Sequence, residues 1–366
     1  MGMKGECASS RGREMLDRLK QDILKGKYVP GRMFPSIVSL MGRFGVSRVT
    51  AVRVTERLKK DGLIVSRQGQ GTYVTRRARL LGGAIGLIVP GSCYSEVFPV
   101  ICHEISRLAQ KSGLTLLFGD VSSSDPRVRA ERALELARKF AREKVSGVIY
   151  QPMEFLDDAE AVNRQILSVF DAAGIAVVLI DNDIVQSPKR SAYELVSVNS
   201  FDVGRRLAEH LIDRGARNLC FQMQPNAAYS IQGRLMGVRS ICAERQARVV
   251  AADVDVADLE AVRRLLRRKP ATDAIICRND HLAAHLLLTL RTMGRRVPAD
   301  VLVTGCNDSP YAAMLEPALT TIRSPCEDLA ATAYRFLMER IADPSLPVRE
   351  CYLKAELVTR ASTAHD

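Results

Sequence analysis

Two groups of polar residues in this 366-residue sequence are spaced so that each group could work as a unit. The first lies near the amino terminus: Ser36, Arg43, Ser47, Arg48, Thr50 and Arg53, followed by Arg67-Gln68-Gly69-Gln70-Gly71. An arginine fork bonds the edge of guanine in pairs, whereas hydroxyls and free backbone N–H groups at helix starts hold phosphate oxygens. Members of the second group each follow a short apolar run: Gln151 after Val148–Tyr150, Asp181 after Val177–Ile180, Asn279-Asp280 after Ala274–Cys277, and Asn307-Asp308 after Val301–Thr304. Amide and carboxylate groups of this kind bond hydroxyls, although each alone is also a good helix N-cap. His281 and His285 stand four apart, but Leu282 replaces the glutamate of a zinc-protease helix, so they are expected to be structural. Neither a metal nor a cofactor is expected.

The elements that must carry the first group can be read from periodicity. Arg13–Lys25 places Leu16, Leu19, Ile23 and Leu24 on one helical face. A short helix with Ile37, Leu40, Met41 and Phe44 follows Pro35-Ser36, and Gly45-Val46 turns the chain into Ser47. Arg48–Asp61 then points Ala51, Val54, Thr55 and Leu58 inward and stops at Gly62. Two helices joined by a glycine turn make a helix-turn-helix, and Leu63–Val65 with Thr72–Val74 read as a hairpin, the wing. In such a unit the second helix enters the major groove, so Arg48, Thr50 and Arg53 are expected at base edges. Ser36, Arg43, Ser47, Gly69 and Gln70 are expected at phosphates or the minor groove.

From Ala84 onward the chain alternates short apolar runs with amphipathic stretches, the pattern of parallel sheets covered by helices on both faces. About 280 residues exceed one ordinary sheet of this kind, so two lobes are expected. Ligands in such folds sit beyond the carboxyl ends of the strands, which is where the second polar group falls.

Charge separates the two regions. Residues 1–80 hold 18 Lys and Arg against six Asp and Glu, so the whole +12 excess lies there, and the remainder is balanced at 35 of each sign. A compact basic module on a neutral body is the footprint of polyanion binding, with double-stranded DNA the leading partner. An apolar content of 47% excludes a disordered or fibrous chain. The longest apolar runs, Ala84–Pro90 and Ile175–Ile180, are far short of the ~20 residues a membrane helix needs. Residues 1–30 carry no apolar segment ahead of a cleavage site, and the nine cysteines are scattered without a Cys-x-x-Cys pair, so a cytoplasmic location with reduced thiols is expected.

The basic segment resembles the gluconate-repressor (GntR) family of winged helices over about residues 13–75. Its motifs are Gly-Lys-Tyr-Val-Pro-Gly (26–31), Phe-Pro-Ser (34–36), Phe-Gly-Val-Ser-Arg-Val-Thr (44–50), Lys-Asp-Gly-Leu-Ile (60–64) and Gln-Gly-Gln-Gly-Thr-Tyr-Val (68–74). Val38 and Val52 depart from it, standing where many members carry a DNA-touching arginine. The body resembles the effector domain of the lactose/galactose-repressor (LacI/GalR) family over about residues 83–362. Carrying motifs are Ile-Gly-Leu-Ile-Val-Pro (85–90), the Val198-Asn199 segment running through Gly204-Arg205-Arg206 to Gly215, Arg234-x-x-Gly237, Asn279-Asp280, Gly-Cys-Asn-Asp (305–308), and Leu-Val-Thr-Arg-Ala-Ser-Thr (357–363). That resemblance implies a ligand held between lobes by the Pro90–Tyr94 loop, Asp181, Arg234, Asn279 and Asn307, where Asn307 replaces a common aspartate. With no tryptophan in the chain, stacking on a sugar face falls to Tyr94 or Phe98.

Together these resemblances imply an α/β chain: an N-terminal winged helix-turn-helix (1–75), a linker (76–83) containing Arg76, Arg77 and Arg79, and a two-lobed periplasmic-binding-protein-like Rossmannoid effector domain (84–366). Lobe 1 is expected at about 84–186 and 324–344, and lobe 2 at about 190–322 and 350–361. The implied function, similar to that of composite arabinose-responsive repressors, is a dimeric repressor of a palindromic operator controlled by a small, sugar-like effector. A sugar-metabolising enzyme or sugar receptor with a nucleic-acid-binding head is the competing reading, but no phosphate-binding loop or nucleophile elbow supports it.

Overall fold

The computed structural model describes residues 10–24, 27–28, 30–75, 83–89, 97–119, 121–268 and 270–364. The loop expected to supply Tyr94, the linker residues 76–82, the turn residues Gly26 and Val29, and the side chain of Leu24 lie outside the described set.

In the head, α1 (Ser10–Leu24), α2 (Ile37–Phe44) and α3 (Arg48–Lys60) pack on a hairpin of β1 (Ile64–Arg67) and β2 (Gly71–Val74). The first helix starts three residues earlier than periodicity predicts. Met15, Leu19, Ile23, Leu40, Ala51, Val54, Leu58 and Leu63 form one core under the hairpin. Ser36 and Ser47 cap α2 and α3 by accepting the Ser39 and Thr50 N–H groups at 3.2 and 3.3 Å. Between the helices Gly45 adopts φ 61°, a left-handed turn that a side chain disfavours, and its N–H closes α2 on the Met41 carbonyl. Met33 bridges to Tyr73 beside the hairpin.

The body begins with β3 (Ala84–Ile88), α4 (Phe98–Lys111), β4 (Thr115–Phe118), α5 (Pro126–Arg142), β5 (Gly147–Tyr150), α6 (Ala159–Ala172), β6 (Ala176–Ile180) and β7 (Glu194–Val198). A second run comprises α7 (Ser200–Asp213), β8 (Asn218–Gln222), α8 (Tyr229–Glu244), β9 (Arg248–Ala252), α9 (Leu259–Leu266), β10 (Ala274–Ile276), α10 (Asp280–Thr292) and β11 (Leu302–Thr304). The chain ends with β12 (Thr321–Arg323), α11 (Cys326–Ala342), β13 (Glu350–Leu353) and β14 (Glu356–Val358). One parallel sheet has the order β4-β3-β5-β6-β7-β13, the other β9-β8-β10-β11, and β12 pairs antiparallel with β14.

Alternation along the strands explains why both sheets need helices on both faces. Val148 and Tyr150 enter the core beneath α5 and α6, whereas Ile149 between them joins the core beneath α4 and α11. Leu219 and Phe221 likewise pack toward α7 and α8, and Cys220 toward α9 and α10.

The lobe limits differ from those expected. Strands β7 and β13, assigned to lobe 2 from the sequence, form the edge of the lobe 1 sheet, so the chain crosses between lobes after Val198, after Arg323 and after Leu353. Glu194 explains the misassignment. A charge and Ser197 interrupt the apolar run of β7, yet Glu194 is 1% exposed and sits in an ion cluster with Arg340 and Arg349 at 3.2 and 2.7 Å. Buried carboxylates are tolerated when paired this way.

Candidate functional site

On the head, Arg48 and Arg53 lie on the exposed face of α3 and make no ion pair among the described residues. Thr50 is half-buried and its hydroxyl bonds Ser47 Oγ at 3.0 Å. Val49 and Val52 complete that exposed face at 61% and 40% exposure, and Val38 on α2 reaches 76%. A face built from two guanidiniums and two isopropyl groups can bond guanine and pack on thymine methyls. The wing exposes Gly69 and Gln70 at its tip, while Arg67 lies over the Tyr73 ring at 4.9 Å and the Tyr73 hydroxyl donates to the Gln70 carbonyl at 3.0 Å.

Arg43, expected at phosphates or the minor groove, also makes contacts within the head. Its Nη2 lies 2.7 Å from Asp22 Oδ2, and its Nη1 also bonds the Tyr28 hydroxyl, so it ties α2 to α1. Burial pushes the Asp22 carboxyl up, but the bond from Arg43 and the charges of Lys27 and Arg43 outweigh it and hold the group below the ordinary range. Only the fold reveals this pairing, because Asp22 lies 21 residues upstream.

Between the lobes lies a cleft of about 560 Å³. Phe98, Gln151, Asp181, Arg234, Asn279 and Asn307, six of the seven predicted ligand residues, line it together. Gln151 and Asp181 close β5 and β6 of lobe 1, and Asn279 follows β10 of lobe 2, which is the strand-end placement expected of this topology. Asn279 caps α10 by accepting the Leu282 N–H at 2.9 Å through its side-chain oxygen and lines the cavity. Arg234 comes from α8 and donates to the Arg278 carbonyl at 2.8 Å. Phe98 is 6% exposed and joins the core with Ile101, so its ring serves packing and the cleft wall at once.

Asp280 and Asp308 are structural. Asp280 accepts from the Ser309 N–H at 2.7 Å and the Thr321 hydroxyl at 2.5 Å, and Asp308 pairs with Arg323 and Arg360. Neither caps a helix as the sequence alone suggested.

Several cleft residues were missed by sequence reasoning: Glu154, Arg129, Gln224 and Arg278. The Asn182 amide donates to Asp181 at 2.7 Å and to Glu154, linking the two carboxyls. Burial pushes both carboxyls above the ordinary range; the charge of Asp181 raises Glu154 further, and that of Arg234 opposes the shift at each. Gln151 is 1% exposed, and its side-chain oxygen has no hydrogen-bond partner. Buried acceptors are rarely left so, and a ligand hydroxyl would satisfy it.

Backbone strain concentrates here too. Phe155, Asp181 and Asn307, with φ of 64°, 72° and 120°, line the cleft. Asp181 is held in that conformation by its N–H on the Val196 carbonyl and by the Ser197 hydroxyl on its own carbonyl. Such outliers are concentrated at binding sites. Among the described residues, no group of three or more His, Cys, Asp or Glu is placed to hold a metal, and no helix is long and apolar enough to cross a membrane. His281 and His285 are exposed, with rings 4.7 Å apart edge to face.

A DNA-reading head joined to a two-lobed domain with a ligand cleft defines a ligand-controlled transcriptional regulator. More particularly, residues 12–74 match the gntR family of bacterial regulatory proteins, and residues 208–363 match the periplasmic binding protein-like domain. The chain is a composite of those two parts. It is 27% identical to the arabinose metabolism transcriptional repressor of Geobacillus stearothermophilus, across 94% of this chain and 96% of that protein. It is 26% identical to the ribose operon repressor of Halalkalibacterium halodurans, across 77% of this chain and 80% of that one. Among solved structures, the transcriptional regulator CelR in complex with cellobiose shares the fold with a TM-score of 0.65 at 22% identity, covering 90% of this chain and 100% of that one.

Proposed function

We propose that this chain represses transcription as a homodimer inside a bacterial cell, binding a two-fold operator through two winged helices and releasing it when a small polyhydroxylated ligand, a sugar, closes the interlobe cleft. It performs no chemistry on the ligand. Arg48, Thr50 and Arg53 read bases; the N-termini of α2 and α3 at Ser36 and Ser47, and the wing at Gly69 and Gln70, hold phosphates. In the cleft, Arg234, Asn279 and Asn307 bond hydroxyls from lobe 2, and Gln151 and Asp181 from lobe 1. The observation that carries this reading is the partnerless Gln151 acceptor at the meeting point of six strand-end and helix residues. Relatives named as repressors of arabinose and ribose systems support it.

The test is fluorescence anisotropy of the purified chain on duplex DNA from upstream of its own gene, with and without a panel of mono- and disaccharides. Specific binding should weaken steeply with salt, and one sugar should release the DNA and be recovered unchanged. Absence of salt-sensitive binding would overturn the operator assignment, and chemical conversion of the sugar would make the chain an enzyme. Arg234→Ala should raise the ligand concentration needed for release by about tenfold or more, as expected when a charged hydrogen-bond donor is lost.

A further inference from the structure

The cleft carries more positive charge than a neutral sugar requires. Arg129, Arg234 and Arg278 all line it. Arg234 and Arg278 bond uncharged oxygens, Arg234 the Arg278 carbonyl at 2.8 Å and Arg278 the Gln224 side chain. Among the described residues, neither Arg234 nor Arg278 has a carboxylate in ion-pair contact. Half-buried arginines elsewhere in the body are treated differently: Arg340 and Arg349 sit on Glu194, and Arg360 on Asp308.

The acidic side chains that line the cleft, Glu154 and Asp181, share the Asn182 amide, and Asp280 and Asp308 nearby in sequence are bonded to Ser309 and Thr321 and to two arginines, respectively. Burial raises both of the cleft carboxyls above the ordinary range. Arg278 lies beside a second cation. Burial depresses its guanidinium below the ordinary value, Asp253 opposes this, and the like charge of Arg234 depresses it further. A half-buried cation beside another cation is stabilised by an anion.

We propose that the effector is an anionic polyol, a small molecule with carboxylate or phosphate oxygens beside its hydroxyls, whose charged end is gripped by Arg278 and Arg234 of lobe 2. This rests on the sugar-effector reading and narrows it. Guanidinium forks match both anions in geometry, so carboxylate and phosphate are the two arms of the test.

Isothermal titration of the full-length chain with paired ligands decides it: D-galactose against D-galacturonate, D-glucose against D-gluconate, and D-ribose against D-ribose 5-phosphate, with inorganic phosphate alone as a further probe. In at least one pair the anionic member should bind about tenfold or more tightly, and the gap should narrow between low and high salt. Arg278→Gln should reduce that ratio to about twofold or less, whereas Arg278→Lys, which keeps the charge, should retain more of it. Neutral sugars binding as well as their anionic partners would overturn the anionic assignment and leave the sugar reading intact. An unchanged ratio in an Arg278→Gln protein that melts like the wild type would overturn the role of Arg278. Should no sugar of either charge bind or move operator affinity, both readings fall.

Discussion

Arg43 and Arg48 lie five residues apart on neighbouring helices, and the fold gives them different surroundings. Arg48 has no ion-pair partner among the described residues and faces outward from the first turn of α3. Arg48→Ala should therefore weaken specific operator binding by about 10- to 100-fold, in line with ~1–3 kcal/mol for a bidentate guanine contact, and relax selectivity at one base pair. Equal losses on specific and random duplexes would assign it to phosphate instead. Val52, 40% exposed on the same face, favours a thymine methyl, so Val52→Arg should move the preference there toward guanine in a randomised-operator selection. Arg43 acts on stability. Its partner Asp22 titrates lower in the folded state than unfolded, so the pair stabilises fully above the ordinary aspartate range and loses that contribution as pH falls through the lowered value. The Arg43→Ala chain should melt lower than wild type at pH 7, by an amount worth about 1 kcal/mol for a partly exposed pair, and the two melting curves should converge in acid. A difference that is constant with pH would show that Arg43 stabilises by packing alone.

At the scale of elements, α7 and α8 make the tightest joint near the cleft. A Cβ on Gly204 would lie 1.9 Å from the Arg234 carbonyl oxygen, and one on Gly237 would lie 2.0 Å from that of Phe201. Gly204→Ala must therefore push α8 away, displacing Arg234 without touching ligand. Overpacking of this kind costs roughly 1–3 kcal/mol or more; titration should show weaker ligand binding together with a lower melting temperature, and unchanged affinity would mean that α8 does not position the site. The joint was visible in the sequence as Gly204-Arg205-Arg206 and Arg234-x-x-Gly237, although spacing could not say that the glycines face one another. Strand β7 was missed because its charge and serine are buried only through tertiary pairing, with Arg340 and Arg349 lying about 150 residues downstream. The same reason hid Arg278, Glu154 and Arg129. Beside a strand end or on a helix each reads as a solvated charge, and only the folded lobes bring them to one cavity.

For the whole molecule, the proposed mechanism turns on the free-energy gap between open and closed lobes. Across the cleft, Asp157 of lobe 1 bonds the Asn226 amide of lobe 2, Gln186 bonds Gln232 at 2.9 Å, and Asn182 reaches Ser230 at 3.4 Å. These contacts exist only while the lobes are together, so they bias the equilibrium that ligand must shift. Asn226→Asp would set a carboxylate against Asp157 and disfavour closure while altering no residue that lines the ligand cleft. Since apparent affinity falls with the fraction of competent protein, ligand binding should weaken by several-fold, and DNA release should need correspondingly more ligand. Reciprocity demands that operator DNA weaken ligand binding by the same factor by which ligand weakens operator binding, in wild type and variant alike. Measured by titrating ligand with and without saturating operator, an Asn226→Asp chain with wild-type affinity would show that these bonds do not set the closure gap. Ligand affinity that is the same with and without saturating operator would show that the cleft and the head are not coupled.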